Sequence, residues 1–374
     1  MIRQTWAIFV DAYRDLNARK LFWITLILTA VFVGAFALLG VNDKGLKVAV
    51  WQIDMPRQAA QYAYKATFRT VVIGLWLTWA ATILALISTA GIFPDLITGG
   101  SIDLYLSKPL GRARLFITKY LAGLAFVSLQ VLIVTLGGFL IMGLRGHEWL
   151  PKFFWAIPIV ICFFSYLFGI CVLLGVWTRS TIAALLVTIV AWGLIAGVDW
   201  SETSLLTTHK MFQAQADNLD ARLAEEERRG PASVPAGEEG PAKAAEPVNT
   251  SSLRERAESA RKVADWTGLF QRIMYGVKTV TPKTTDTIDL LNRYVFTQEE
   301  VDQSLNPPRP AGGNPRRGRQ NGGPGLDDEA AVEGAKSAAL EVHGRSPAWV
   351  IGSSLLFELA VVTLAGWVFV KRDY

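Results

Sequence analysis

The sequence predicts an all-α polytopic membrane protein. It has six transmembrane helices, an N-terminal amphipathic interfacial helix, and a large, partly disordered loop between helices five and six. Three observations predict this. Of 374 residues, 51% are hydrophobic, and the mean hydropathy is +0.31. The apolar residues are gathered in runs of about 20, the length that crosses a hydrocarbon layer ~30 Å thick, rather than spread as a soluble core would spread them. Charged residues bound each run, and one long segment, 200–345, carries the low-complexity composition that the runs lack.

Residues 1–20 place Ile2, Trp6, Phe9, Val10, Tyr13 and Leu16 at steps of three and four, with Arg3, Asp11, Arg14, Asp15 and Lys20 mostly on the other side. That is an amphipathic helix, and its Trp and Tyr suit a membrane interface. Uncharged runs follow at 21–40, 70–94, 120–144, 153–178 and 180–198, and these are spans one to five. Residues 41–69 read as a polar loop, 145–152 as a short turn, and Arg179 as a turn by itself. Charged residues precede the first run without a small-residue cleavage site, so no cleavable signal peptide is expected.

In 200–345, residues 210–229 read as an exposed helix with Met211, Leu219 and Leu223 on one side. Residues 230–247 and 306–325 have the composition of unstructured chain. Residues 252–265 alternate charge and read as helical. Trp266, Leu269, Phe270, Ile273, Met274 and Val277 then recur at helical spacing. That stripe could cap the protein's own surface, lie on the membrane or pack on a partner. Residues 281–296 are short and mixed. Span six is 346–370, followed by a charged tail at 371–374.

Span six carries one charge, Glu358. A carboxylate at mid-membrane costs ~2.5–3.5 kcal/mol on insertion scales, so it should face the bundle interior and find a partner there. Two roles are open: part of a transport path, or a structural hydrogen bond to a polar neighbour such as Gln130 in span three. Cys162 and Cys171 are nine residues apart in one helix. At ~100° per residue they lie on opposite faces, which excludes a disulfide between them. His147, His209 and His343 are scattered without metal-ligand spacing, and no G-x-x-x-x-G-K-[ST] loop is present. The net charge of +5 is small and dispersed, which argues against a nucleic-acid partner.

The charged loop between spans two and three, 95–119, begins at Asp95. Gly99 and Gly100 permit an abrupt turn, and Ser101 is an N-cap for a short helix running from Ile102 through Asp103 and Leu104 to Leu106. Ser107, Lys108 and Pro109 stop that helix, and Arg112, Arg114 and Lys119 follow. This order of Gly-Ser turn, apolar helix, Ser-Lys-Pro, basic patch and helix-opening Lys resembles the first cytoplasmic loop of type-2 ABC-transporter permeases. That ABC-2-like family includes permeases linked to multicopper-enzyme maturation. Members usually carry an acid just before the Gly, where this chain has Thr98 with Asp95 further back.

The resemblance covers 1–199 and 346–374. It implies a transport subunit, with export favoured, that couples to ATP-Mg hydrolysis in a separate ATPase docked on the 95–119 loop. The chain itself would be no enzyme and hold no cofactor. It also implies a second permease copy or a related permease, residence in the bacterial cytoplasmic (inner) membrane, and cytoplasmic termini. Lys and Arg number eleven on the side of the termini and seven in the two short loops opposite, which leans the same way. Two other classes compete: a non-transporting membrane scaffold docking a partner through 200–345, and a membrane-embedded enzyme.

Overall fold

The computed structural model describes Val10, Arg14 and residues 20–98, 111–229, 250–296 and 328–372. The predicted interfacial helix, the Gly99 to Pro109 part of the coupling loop and both low-complexity stretches lie outside the described residues. The chain forms two compact units, one comprising 1–196, 279–307 and 346–374, the other 197–278 and 308–345.

In the first unit, α1 (Lys20–Phe36) is a 17-residue apolar helix. Its polar Thr25 and Thr29 bond inward to Phe22 O (2.8 Å) and Thr25 O (2.7 Å), which removes two hydroxyls from an apolar surface. The helix stops before residue 40 because the chain turns into a three-stranded antiparallel meander, β1 (Leu39–Asn42), β2 (Gly45–Val48) and β3 (Trp51–Asp54). Leu39 faces Val48, and Val48 faces Trp51. Residues 41–69 are therefore not the loop the sequence suggests. Gly45 permits the first hairpin, because its φ of +133° is closed to side chains. Asn42 and Gln52 exchange amide hydrogen bonds of 2.8 and 3.0 Å across the sheet.

A continuous helical rod follows: α2 (Arg57–Thr67), a π-helical stretch (Phe68–Ala80) and α3 (Ala81–Thr89). After a turn at Ala90 and Gly91 comes α4 (Ile92–Thr98). In the π stretch and just after it the hydroxyls reach five residues back, Thr78 to Ile73 O (2.9 Å) and Thr82 of α3 to Leu77 O (3.0 Å), matching the wider hydrogen-bond spacing of the stretch. Next are α5 (Arg112–Arg145), a 3-10 turn (Pro151–Trp155) and α6 (Ala156–Thr178). Helix α6 is the centre of the unit. Phe163, Phe164, Tyr166, Leu167 and Phe168 are all fully buried. Arg179, at φ 55°, ends α6 in the left-handed conformation.

Helix α7 (Thr181–Arg229) runs 49 residues without a break, so the polarity change expected near 199 falls inside one helix. Helix α8 (Thr250–Val280) is followed by α9 (Thr284–Val295). The sequence reads 281–296 as a mixed part of the insertion, yet Ile288, Leu291, Val295 and Phe296 sit in the core of the first unit. Helices α10 (Asp328–Gly344) and α11 (Pro347–Lys371) complete the described chain. Ser346 caps α11, accepting a hydrogen bond from Trp349 N.

Lys283 fixes α9 to α11. Its backbone N–H donates to Ser354 Oγ (2.9 Å), its ammonium donates to Ser353 Oγ (2.7 Å), and the ammonium lies 4.3 Å from the Trp349 ring centroid. These contacts explain why a polar segment packs here: its buried ammonium is solvated by one hydroxyl, the Thr279 carbonyl (3.4 Å) and an aromatic face. Among the described residues, five helices are long and apolar enough to cross a membrane: 57–97, 112–145, 151–178, 181–228 and 347–371. Such a set is compatible with a membrane protein. Helix α1 is apolar but shorter.

The second unit packs the later part of α7 with α8 and α10. Its interior is built of small residues, Ala216, Ala257, Ala260, Ala264, Ala330 and Ala338, around Leu206, Leu219 and Leu223. Gly268 leaves room for the His209 ring, whose Nδ1 lies 2.8 Å from Ala264 O. A buried ionic cluster ties the three helices. Lys278 Nζ is 3.2 Å from Glu202 Oε2 and 3.5 Å from Asp199 Oδ1, and Arg345 donates to Glu202 Oε1 at 2.6 Å. Gln271 adds a bond of 3.2 Å to the same oxygen. Two anions meet two cations, so these buried charges balance. Trp266, Leu269, Phe270, Ile273 and Val277 are all exposed, so the predicted apolar stripe does not cap the described surface of its own unit.

Candidate functional site

Two features of the first unit place the residues singled out from sequence. The first is Glu358, half-way along α11 and half-buried. It meets side chains from two other helices. Tyr120 Oη of α5 donates to Glu358 Oε1 at 2.8 Å, and Ser165 Oγ of α6 lies 2.6 Å from Oε2. Tyr120 Oη is also 3.3 Å from Ser165 O. Gly169, one turn on from Ser165, lets α11 approach α6. A side chain there would sit 3.2 Å from Val362 and 3.8 Å from the Glu358 stem. The carboxyl group is thus held at a three-helix junction by two hydroxyls, and it forms no ion pair among the described residues.

Gln130 is not its partner. Gln130 Nε2 donates to Ala81 O (3.3 Å) and lies 3.5 Å from Thr29 Oγ1, so it ties α5 to α1 and α3. Ten residues separate Tyr120 from Gln130 on one helix, ~15 Å of rise, and Glu358 lies level with the first. Sequence reasoning missed Tyr120 and Ser165. Their signal was weak: a Tyr at the start of one apolar run and a Ser within another.

The second feature surrounds the ends of the 95–119 loop. Asp95, in the first turn of α4, accepts from Thr181 Oγ1 at 3.4 Å. Arg112 opens α5. Its guanidinium donates to Val370 O (3.1 Å), in the last turn of α11, and to Arg372 O (3.0 Å), just past its end. Arg372 in turn donates to Val176 O and Trp177 O, both at 2.9 Å, at the C-terminal end of α6. Helix ends leave carbonyls without intrahelical partners, and two guanidiniums satisfy these. Arg114 is half-buried in the first turn of α5, with its carbonyl accepting from Thr118. Lys119 is buried. Gly99, Gly100, Ser101, Ile102, Asp103, Leu104, Leu106, Ser107, Lys108 and Pro109 lie outside the described residues. What the structure gives is the frame from which that segment leaves: the start of α5, the end of α6 and the end of α11, cross-braced by two arginines.

Among the described residues, no group of three His, Cys, Asp or Glu side chains is placed to hold a metal ion. Cys162 and Cys171 are free thiols. A scan against protein-family models, a search of curated proteins and a search of solved structures each found no match to this chain.

Proposed function

We propose that the chain is the permease subunit of an ABC transporter of the type-2 class. A separate ATPase would dock on the 95–119 loop and drive movement of substrate, in the export direction, across the bacterial cytoplasmic membrane. In this reading α1 joins the five longer apolar helices as a sixth span, the termini are cytoplasmic, and a second permease copy completes the transporter. ATP-Mg belongs to the partner. The observation that most supports it is the arginine brace, together with the loop sequence. Work applied between Thr98 and Gly111 would reach α4 and α5 directly, and α11 and α6 through Arg112 and Arg372.

The test is co-purification of an ATPase from detergent extracts of the native membrane. The double variant Leu104→Asp and Leu106→Asp should abolish it while leaving the chain in the membrane. Unchanged co-purification would sink the reading.

A second reading, a non-transporting scaffold, is favoured by the exposed stripe from Trp266 to Val277. Deleting 252–280 separates the two. A scaffold loses its partner, whereas a transporter keeps substrate-coupled ATPase activity.

A further inference from the structure

The three-stranded meander of the first unit is polar at one end and apolar at the other. At its far end the row Asn42–Gly45–Asp54 adjoins a charged turn, where Arg57 meets Asp43 at 3.1 Å. At its near end the row Leu39–Val48–Trp51 directly follows α1, and Ala49 N donates to Leu38 O at 2.8 Å. The exposed apolar side chains here are Leu38 (55%), Val50 (85%) and Trp51 (75%). Alternation along a strand separates the two faces of a sheet. Here polarity separates instead the two ends of the strands, and the near turn is an open apolar surface.

The position of that turn says what covers it. A side chain at Gly40 would come within 3.5 Å of Arg145, the last residue of α5. Helix α2 starts beside the far turn and runs back along the sheet, so that Lys65 reaches Glu148, just past α5, at 2.6 Å. The near turn therefore lies level with the end of the apolar bundle. Trp149 and Trp155, in the connection from α5 to α6, are exposed at the same end, and Trp177 and Trp367 are exposed at the opposite one. Trp155 and Trp177 are separated by ~33 Å of helix rise, and Trp349 and Trp367 of α11 by ~27 Å. An ammonium lies over each indole of α11, Lys283 4.3 Å from Trp349 and Lys371 4.5 Å from Trp367. Two levels of indoles with cations, ~30 Å apart, match the two boundaries of a hydrocarbon layer, where Trp is enriched. Lys47 is exposed one row out from Trp51, ~3.4 Å further from the bundle, where anionic phosphates would complement it. We infer that the meander rests on the bilayer surface, with Leu38, Val50 and Trp51 seated in the lipid interface and its far turn in water. The inference rests on the membrane reading of the helices and needs no ATPase.

The test uses the full chain in nanodiscs of phosphatidylglycerol and phosphatidylethanolamine, with the photoreactive p-benzoylphenylalanine in place of Trp51 or, separately, of Asp43. Irradiation should give adducts of lipid mass at position 51 and about tenfold fewer at position 43, because the first side chain sits at the boundary and the second in water. Adducts of position 51 with a second copy of the chain in place of lipid would overturn the inference. So would equal lipid adducts at the two positions, or none at 51 in a chain that still unfolds cooperatively. An alkaline carbonate wash of native membranes separates two kinds of failure. A chain released by the wash loses the membrane reading and this inference with it. A chain that stays, yet forms no lipid adduct at 51, loses this inference alone.

Discussion

In the first unit the largest buried side chains are aromatic: Tyr64, Phe68, Phe93, Phe153, Phe163, Phe164 and Phe168. In the second, alanines make the helix contacts and a four-charge cluster joins the helices. Both are helical, yet they depend on different interactions. An apolar helix gains little by leaving lipid for protein, so its association rests on close fit and on hydrogen bonds between helices. The aromatic stacks and close glycine approaches of the first unit supply that fit. The second unit has small side chains and therefore little apolar area to bury. It is fixed instead by pairing charges that water would otherwise hold. The comparison shows two ways of burying charge: in the second unit four charges pair with one another, whereas in the first Lys283 and Glu358 are met by hydroxyls.

The comparison can be broken in four places, given from the largest expected effect to the smallest. Glu202→Ala leaves Lys278, fully buried, and Arg345, 9% exposed, without their shared partner. Losing one member of such a cluster costs ~3–5 kcal/mol. Hydrogen exchange should accelerate across 250–278 while 156–178 stays protected. Equal acceleration in both would show that the units do not differ as argued.

Gly123→Ala tests the other unit. Its new methyl would lie 2.6 Å from the Phe168 ring, an overpacking of ~1–3 kcal/mol, and exchange should now rise in 156–178 first. Tyr120→Phe removes one hydroxyl from Glu358 and should lower the melting temperature in detergent by an amount corresponding to ~1 kcal/mol. Arg254→Ala removes the pair with Glu227 (2.6 Å), whose side chains are both more than half exposed, and should change stability by less than ~1 kcal/mol. A larger loss there would mean that surface pairs, not the buried cluster, hold the second unit.

What the sequence made legible follows the same division. Long apolar runs bounded by charge located the long helices of the first unit, because a helix fit to cross a bilayer must be both long and apolar. The meander at 39–54 escaped because its strands are four residues each, too short for alternation to stand out, and one hairpin turns through Ala49 at φ 54° instead of a glycine. The continuity of α7 past 199 escaped because Asp199 and Glu202 look like an exit into water. Their neutralising partners, Lys278 and Arg345, are remote in sequence. Helix α9 escaped because its role depends on Lys283 finding Ser353 and Ser354 some seventy residues later. At Glu358, sequence reasoning required an interior partner but could not choose one, since that choice depends on how α5, α6 and α11 are rotated and staggered.

The arginine brace has a consequence for biogenesis. On the transporter reading, Arg112, Arg179 and Arg372 would be among the positive charges whose imbalance sets which way a nascent chain enters the bilayer. In the finished fold Arg112 and Arg372 are fasteners on carbonyls at two helix ends, and Arg179 is itself the joint between α6 and α7. On that reading, the groups that orient the chain during synthesis would later lock it. A substitution such as Arg372→Gln would then act twice, once on the topology of insertion and again on the tightness of the assembled bundle.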